Sequence, residues 1–241
     1  MVMNHMIQFM KQISGRFISN DYTSLSDPHQ IAYLRNLQRE IKKNDVLNIP
    51  FDDLQVVVFD IETTGFYPYK GDRILTIGAV KMVGDQIFED DTFYSAIYSE
   101  EGPSEKIEKL TGITKEQLMK APPLQEVLRQ FYQFAKSDTL VAHHSNHEKQ
   151  FMKRANWEAL KTNFQHRILD TTFLMKPIGP ELNLTSLDEY CDYFGIYNEQ
   201  RHHALYDAIA TANIWSEGIR SVKQLGYSNL NDLYSYLANE L

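Results

Sequence analysis

The sequence predicts an α/β domain over residues 51–241, a mixed central sheet flanked by helices, behind a helical amino-terminal extension over residues 1–50. Three observations carry this. The run Gln55-Val56-Val57-Val58-Phe59 follows Pro50 and has the apolar, β-branched character of a strand buried on both faces. Two longer strand patterns, Arg73 to Val83 and Gln86 to Ile97, meet at Gly84-Asp85, a hairpin signal that makes the opening of the sheet antiparallel. Beyond residue 104 helical patterns dominate, broken by short strand-like segments, which is the order of a sheet covered on both sides.

The elements follow in turn. Ser26-Asp27-Pro28 offers a cap and a proline at a first helical position, and Ile31, Leu34, Leu37 and Ile41 then recur at helical spacing, so residues 28–43 read as an amphipathic helix. Its other side carries Arg35, Arg39, Lys42 and Lys43, either a solvated face or a surface for nucleic acid or a protein partner. Helices are expected at 104–110, 114–119 and 124–135, with Pro122-Pro123 separating the last two. Thr139-Leu140-Val141-Ala142 is a fourth strand, a helix follows at 146–160, and a short strand lies near Arg167 to Leu169. Further helices are expected at 170–176, 184–193, 204–223 and 229–239.

Composition bounds the possibilities. With 241 residues, 43% hydrophobic and 23% charged, the chain can bury a sizeable core and is neither disordered nor fibrous. Its single cysteine, Cys191, excludes an internal disulfide, and no Cys/His cluster has zinc-finger spacing, so a reducing cytoplasm is the expected setting. The amino terminus has no cationic start followed by an apolar run, and no membrane segment is expected. The net charge of −8 disfavours a broad groove for duplex DNA, whose affinity is built from many Lys/Arg contacts. It leaves room for an enzyme that grips a few nucleotides through bound cations, because the cations neutralise local carboxylates.

Two segments carry chemistry. The first strand runs into Asp60-Ile61-Glu62-Thr63-Thr64-Gly65. Side chains alternate along a strand, so Asp60 and Glu62 share a face about 6.6 Å apart, as two solvated strand-end acids or as ligands for Mg²⁺ or Mn²⁺ at the carboxyl edge of a sheet. The second is Arg201-His202-His203-Ala204-Leu205-Tyr206-Asp207-Ala208. A five-residue separation on a helix leaves His202 and Asp207 about 140° apart, so His202 belongs on the preceding loop. Asp207 then sits in the first turns, where Ala204 and Ala208 are small enough to let the helix approach the sheet. A histidine at a helix start also serves as a plain cap or surface group.

FDIETTG followed far downstream by HHALYDA resembles the DnaQ-like exonuclease superfamily, in the branch that uses four acids and a histidine and includes the proofreading epsilon subunit of bacterial DNA polymerase III. The resemblance covers about residues 54–222 and includes Pro103 to Thr114. It implies a ribonuclease H-like fold and a further motif of the form AHNxxFD. Here that stretch is Ala142-His143-His144-Ser145-Asn146-His147-Glu148, with Glu148 where the family has aspartate and His144 and His147 where it has asparagine and phenylalanine. An extra methylene shifts a ligand by about 1 Å, enough to matter in a site of fixed geometry. Two readings follow: a working site with an adapted second metal position, or a degraded one.

By the resemblance, Asp60, Glu62, Glu148 and Asp207 would hold two divalent cations, Mg²⁺ or Mn²⁺, about 3.5–4 Å apart, and His202 would be the general base. Thr63, Thr64, Gly65, Phe66, His143 and His144 are the expected substrate contacts, Phe66 by base stacking. Tyr67 and Tyr69 either join it or pack on the domain's own surface. Asp170 reads best as the N-cap of the helix that follows it. The expected function is 3′–5′ exonuclease action on single-stranded or frayed DNA ends in proofreading or repair, with a polymerase or another replication or repair protein as partner and no membrane. RNA trimming, and a non-catalytic module that binds ends or a polymerase or helicase, are the alternatives.

Overall fold

The computed structural model describes residues 28–43, 45–179 and 182–239; residues 1–27 of the expected extension lie outside the described residues. Helix α1 (Pro28–Lys43) is the helix expected from the Ile/Leu spacing. Its second half belongs to the unit that runs from Asn36 onward, where Leu37 is buried and Arg39, Lys42 and Lys43 are exposed.

That unit is organised around β1 (Gln55–Thr63). Antiparallel β2 (Ile74–Val83) lies on one side of it and parallel β4 (Thr139–Ala142) on the other; β3 (Gln86–Ala96) and β5 (Ile168–Asp170) complete the order β3-β2-β1-β4-β5. The sheet is thus mixed. The two-residue turn expected between β2 and β3 is present, with Gly84 at φ +60°, a left-handed conformation that favours glycine. Strand β1 runs further than its apolar stretch predicts, because β2 keeps pairing along the acidic motif, Asp60 with Gly78 and Glu62 with Thr76.

Helices α2 (Glu105–Thr111), α3 (Lys115–Met119) and α4 (Leu124–Ala135) lie between β3 and β4, α5 (Asn146–Leu160) follows β4, and α6 (Thr171–Ile178), α7 (Leu187–Phe194), α8 (Ala204–Gln224) and α9 (Leu230–Asn239) follow β5. Their ends are set by local chemistry. Ser104 caps α2, and Thr114 with Gln117 and Ser186 with Glu189 form reciprocal capping boxes at α3 and α7. Gly112 and Gly195 end α2 and α7 in left-handed conformations.

Alternation along β1 divides the interior. Val56 and Val58 enter a core that includes Leu174, Trp215 and Ile219, while Phe59 points to the other face, its ring 5.7 Å from that of Phe131 on α4. Asp60 and Glu62 continue the Val56/Val58 face, so the motif turns its carboxylates toward the α8 side. The approach of α8 depends on Gly78: a Cβ there would stand 2.2 Å from the backbone nitrogen of Leu205. Ala204 and Ala208 are fully buried in that contact. Among the described residues, no helix is long and apolar enough to cross a membrane.

Candidate active site

Four acids and a histidine arrive from three directions. Strand β1 supplies Asp60 and Glu62, and the first turn of α5 supplies Glu148. The first turn of α8 supplies Asp207, with His202 on the preceding loop, as the helical arithmetic requires. Ligand atoms of Glu62, His202 and Asp207 lie within 4.8 Å of one another, a grouping that can hold a metal ion. Glu148 and Asp207 are 4% and 3% exposed, too little for water to solvate a carboxylate.

Their electrostatics reflect that crowding. Burial, then the charges of Glu148, Asp207 and Glu62, holds the Asp60 carboxyl well above the usual range. Burial followed by Asp207 pushes Glu62 up to about 7. Burial is also the main reason that Glu148 is pushed up to about 8, with Asp170 adding to it. Glu148 Oε2 is buried with no hydrogen-bond partner. An unpartnered buried carboxylate oxygen beside mutually repelling acids suits a bound divalent cation, so the residues present fit the metal that the sequence motif implies.

Asp207 differs from the other acids. Its Oδ1 accepts from Asn198 Nδ2 at 2.6 Å, and its Oδ2 accepts from Arg201 Nη1 at 2.6 Å and from the His202 backbone N–H at 3.0 Å. Arg201 also donates from Nε to Asp188 Oδ1 at 2.5 Å. His202 has φ +61°, a left-handed conformation uncommon outside glycine. Burial, followed by the Arg201 charge, lowers the pKa of its ring against the pull of Asp207 and Asp188.

Asp170 is the N-cap of α6, as the sequence predicts, and does more. Its Oδ1 accepts from the Thr172 backbone N–H and hydroxyl, while Oδ2 accepts from the Ser145 N–H at 2.7 Å. It therefore ties the start of α5, and with it Glu148, to the end of β5. Those hydrogen bonds outweigh burial and keep Asp170 below the usual carboxylate range. His143 lies beneath this junction, 2.7 Å from Thr171 Oγ1, and burial lowers its pKa to about 4. His144 is exposed and contacts the Thr185 carbonyl at 3.0 Å.

The loop after β1 closes on Asp72. Thr64 Oγ1 donates to Asp72 Oδ1 at 3.1 Å, and the Tyr67 backbone N–H donates to Asp72 Oδ2 at 2.8 Å. A Cβ at Gly65 would stand 2.5 Å from that carboxylate, so a side chain there would push the Asp72 carboxylate off its present hydrogen bonds. Thr63 Oγ1 donates to the Gly65 carbonyl at 2.7 Å. Phe66, Tyr67 and Tyr69 are 79%, 60% and 65% exposed, with Lys70 Nζ 4.7 Å from the centre of the Tyr67 ring. They line a cavity of about 620 Å³ together with His144 and His147, and Phe66 meets the His147 ring edge-on at 5.9 Å.

Sequence reasoning missed Asn198, Arg201 and Asp72 as partners of site residues. Arg201 carries a signal in its position beside His202, whereas Asn198 and Asp72 carry none. Gly78 had one, a glycine within an otherwise apolar, β-branched strand, which marks close backbone approach.

Residues 57–215 match the family model described as Exonuclease. The chain is 34% identical over 183 residues to a DNA polymerase III PolC-type protein of Caldanaerobacter subterraneus subsp. tengcongensis, covering 76% of this chain and 13% of that one. It is 31% identical over 210 residues to a DNA polymerase III subunit epsilon-like protein of Rhodobacter capsulatus, covering 83% and 30%. The chain thus spans a minor part of these relatives' length. In fold it is similar to the 3′-exonuclease solved with a histone mRNA stem-loop, at TM-score 0.62 and 18% identity over 73% of this chain and 84% of the other. It is likewise similar to E. coli exonuclease I solved with a dT13 oligonucleotide, at TM-score 0.60 and 14% identity over 72% and 43%.

Proposed function

The chain belongs to the exonuclease family, in its DnaQ-like branch, and from that premise we propose that it is a metal-dependent 3′–5′ exonuclease acting on single-stranded or frayed DNA ends. The observation that carries the proposal is the convergence of Asp60, Glu62, Glu148 and Asp207, the last two buried, with one buried carboxylate oxygen of Glu148 left unpartnered. That arrangement is costly without a cation, and it argues against a degraded site: Glu148 stays in the cluster despite its extra methylene.

Asp60, Glu62, Glu148 and Asp207 would hold two divalent cations, Mg²⁺ or Mn²⁺. When bound, such ions stabilise both the attacking and the leaving oxygen of an in-line phosphodiester displacement. His202 takes a proton from the attacking water on a ring nitrogen, which its lowered pKa leaves free at neutral pH. Phe66, with Tyr67 and Tyr69, stacks on the terminal bases, a contact that tolerates any sequence. The backbone at Thr63, Thr64 and Gly65 lines the approach, and His144 borders the aromatic cavity. His143, under the loop, supports α6 through Thr171 more than it meets substrate.

The similarity to DNA polymerase III proteins supports a role beside a replicative polymerase in proofreading or repair, and the setting we propose for it is the cytoplasm. The test is a time course on a 5′-labelled single-stranded DNA oligonucleotide, with a matched RNA, in Mg²⁺ or Mn²⁺. A ladder shortening from the 3′ end, lost with EDTA and in Asp207→Ala, is expected, with DNA cut faster than RNA. No cleavage by folded protein with either metal would favour a binding module.

A further inference from the structure

Asp207 is the acid of the cluster that the protein itself compensates. Glu148 Oε2 has no partner, whereas both oxygens of Asp207 are engaged, Oδ1 by Asn198 and Oδ2 by Arg201 and the His202 N–H. Among the described residues, Arg201 is the basic side chain paired with the cluster, 2.6 Å from Asp207 Oδ2. Its side chain is 30% exposed and spans two carboxylates, Nη1 on Asp207 and Nε on Asp188 in the first turn of α7. Its charge also opposes the repulsion felt at Asp60 and Glu62. A guanidinium seated on a ligand oxygen and a divalent cation cannot occupy that oxygen's lone pairs together without repelling each other.

Resting on the reading of Asp207 as a cation ligand, we propose that Arg201 is the resident counter-ion of the metal-free site, which holds Asp207 until divalent cations arrive and then yields Oδ2 while Asp188 retains it. Two consequences follow. The metal-free chain is protected from the repulsion of four clustered acids, and cation binding is weakened by the ion pair that it must break. Arg201 would thus set the cation concentration at which the site fills.

The test is isothermal titration with Mn²⁺ alone, beside thermal melting in EDTA, on wild type, Arg201→Gln, Arg201→Lys and Asp207→Asn. Arg201→Gln should bind Mn²⁺ about tenfold more tightly, and its metal-free melting temperature should fall by about 3 °C. Arg201→Lys keeps a charge but not the two-pronged span from Asp188 to Asp207, and its affinity should lie between those of wild type and Arg201→Gln. If Arg201→Gln does not fold, a tightening in Arg201→Lys still supports the proposal. Unchanged or weaker Mn²⁺ binding in both variants overturns it. Wild type that binds no Mn²⁺, or Asp207→Asn that binds it unchanged, would instead overturn the reading of Asp207 on which the proposal rests.

Discussion

The carboxylate of Asp207 accepts the backbone N–H of His202 at 3.0 Å, so the acid offered to a cation also fixes the loop that presents the proposed base. A change at Asp207 therefore disturbs both functions, whereas a change to the His202 ring leaves that backbone bond in place. His202→Ala should lower the hydrolysis rate by about 10²- to 10⁴-fold with Mn²⁺ affinity retained. Single-turnover kinetics beside Mn²⁺ titration checks this. Loss of Mn²⁺ binding would make His202 a ligand, which its grouping with Glu62 and Asp207 also allows.

The raised carboxylates give a pH dependence with a definite sign. Burial leads the shifts that place Glu62 at about 7 and Glu148 at about 8. An acid raised on folding favours the folded state below its ordinary value near 4.5, and that contribution is lost as pH rises through the folded value. Metal-free protein should therefore melt at progressively lower temperature from about pH 5 to about pH 8.5, and Mn²⁺ should raise the melting temperature more at the upper end. Scanning calorimetry with EDTA or Mn²⁺ across that range tests this. A flat metal-free profile would contradict it.

Glu148→Gln removes a buried charge while keeping the shape. It should raise metal-free stability near pH 8 while reducing turnover by at least about tenfold, the opposing signs expected of a residue kept for function. Melting curves in EDTA and a nuclease time course on the same preparation decide it. A variant both less stable and fully active would point to a packing role.

Gly78→Ala tests how α8 reaches the sheet. The added methyl would meet the Leu205 and Ala204 backbone at 2.2 to 2.3 Å, and backbone on both sides leaves it no flexible neighbour to move. The cost should be about 1–3 kcal/mol, read by urea denaturation, with activity lost because Asp207 and His202 shift together.

Phe66→Ala should leave stability unchanged, since the ring is 79% exposed. It should raise KM for single-stranded DNA about tenfold, the scale of one base–aromatic stack. An unchanged KM would remove Phe66 from the binding surface.

The fold was legible wherever local chemistry decides it. Gly84-Asp85 marks the β2–β3 turn, Asp170 caps α6, and alternation along β1 puts Asp60 and Glu62 on one face, all as the sequence predicts; the caps at Ser104, Thr114 and Ser186 refine helix starts that periodicity alone placed only roughly. The site was legible as residue types at a spacing. What the spacing does not encode is which loop residues fold back onto those types. Arg201 and Asn198 reach Asp207 because the chain between α7 and α8 curls over the helix start, a tertiary event with no periodicity of its own. The double duty of Asp170 was half visible for the same reason: its cap on α6 is local, and its bond to Ser145 spans 25 residues.

Whether the four carboxylates form a cation site is decided by anomalous scattering from crystals grown with Mn²⁺. Two anomalous peaks are expected, bounded by Asp60, Glu62, Glu148 and Asp207. Crystals of folded protein with no peak among those residues, or with peaks only elsewhere on the surface, would mean that the carboxylates hold no cation.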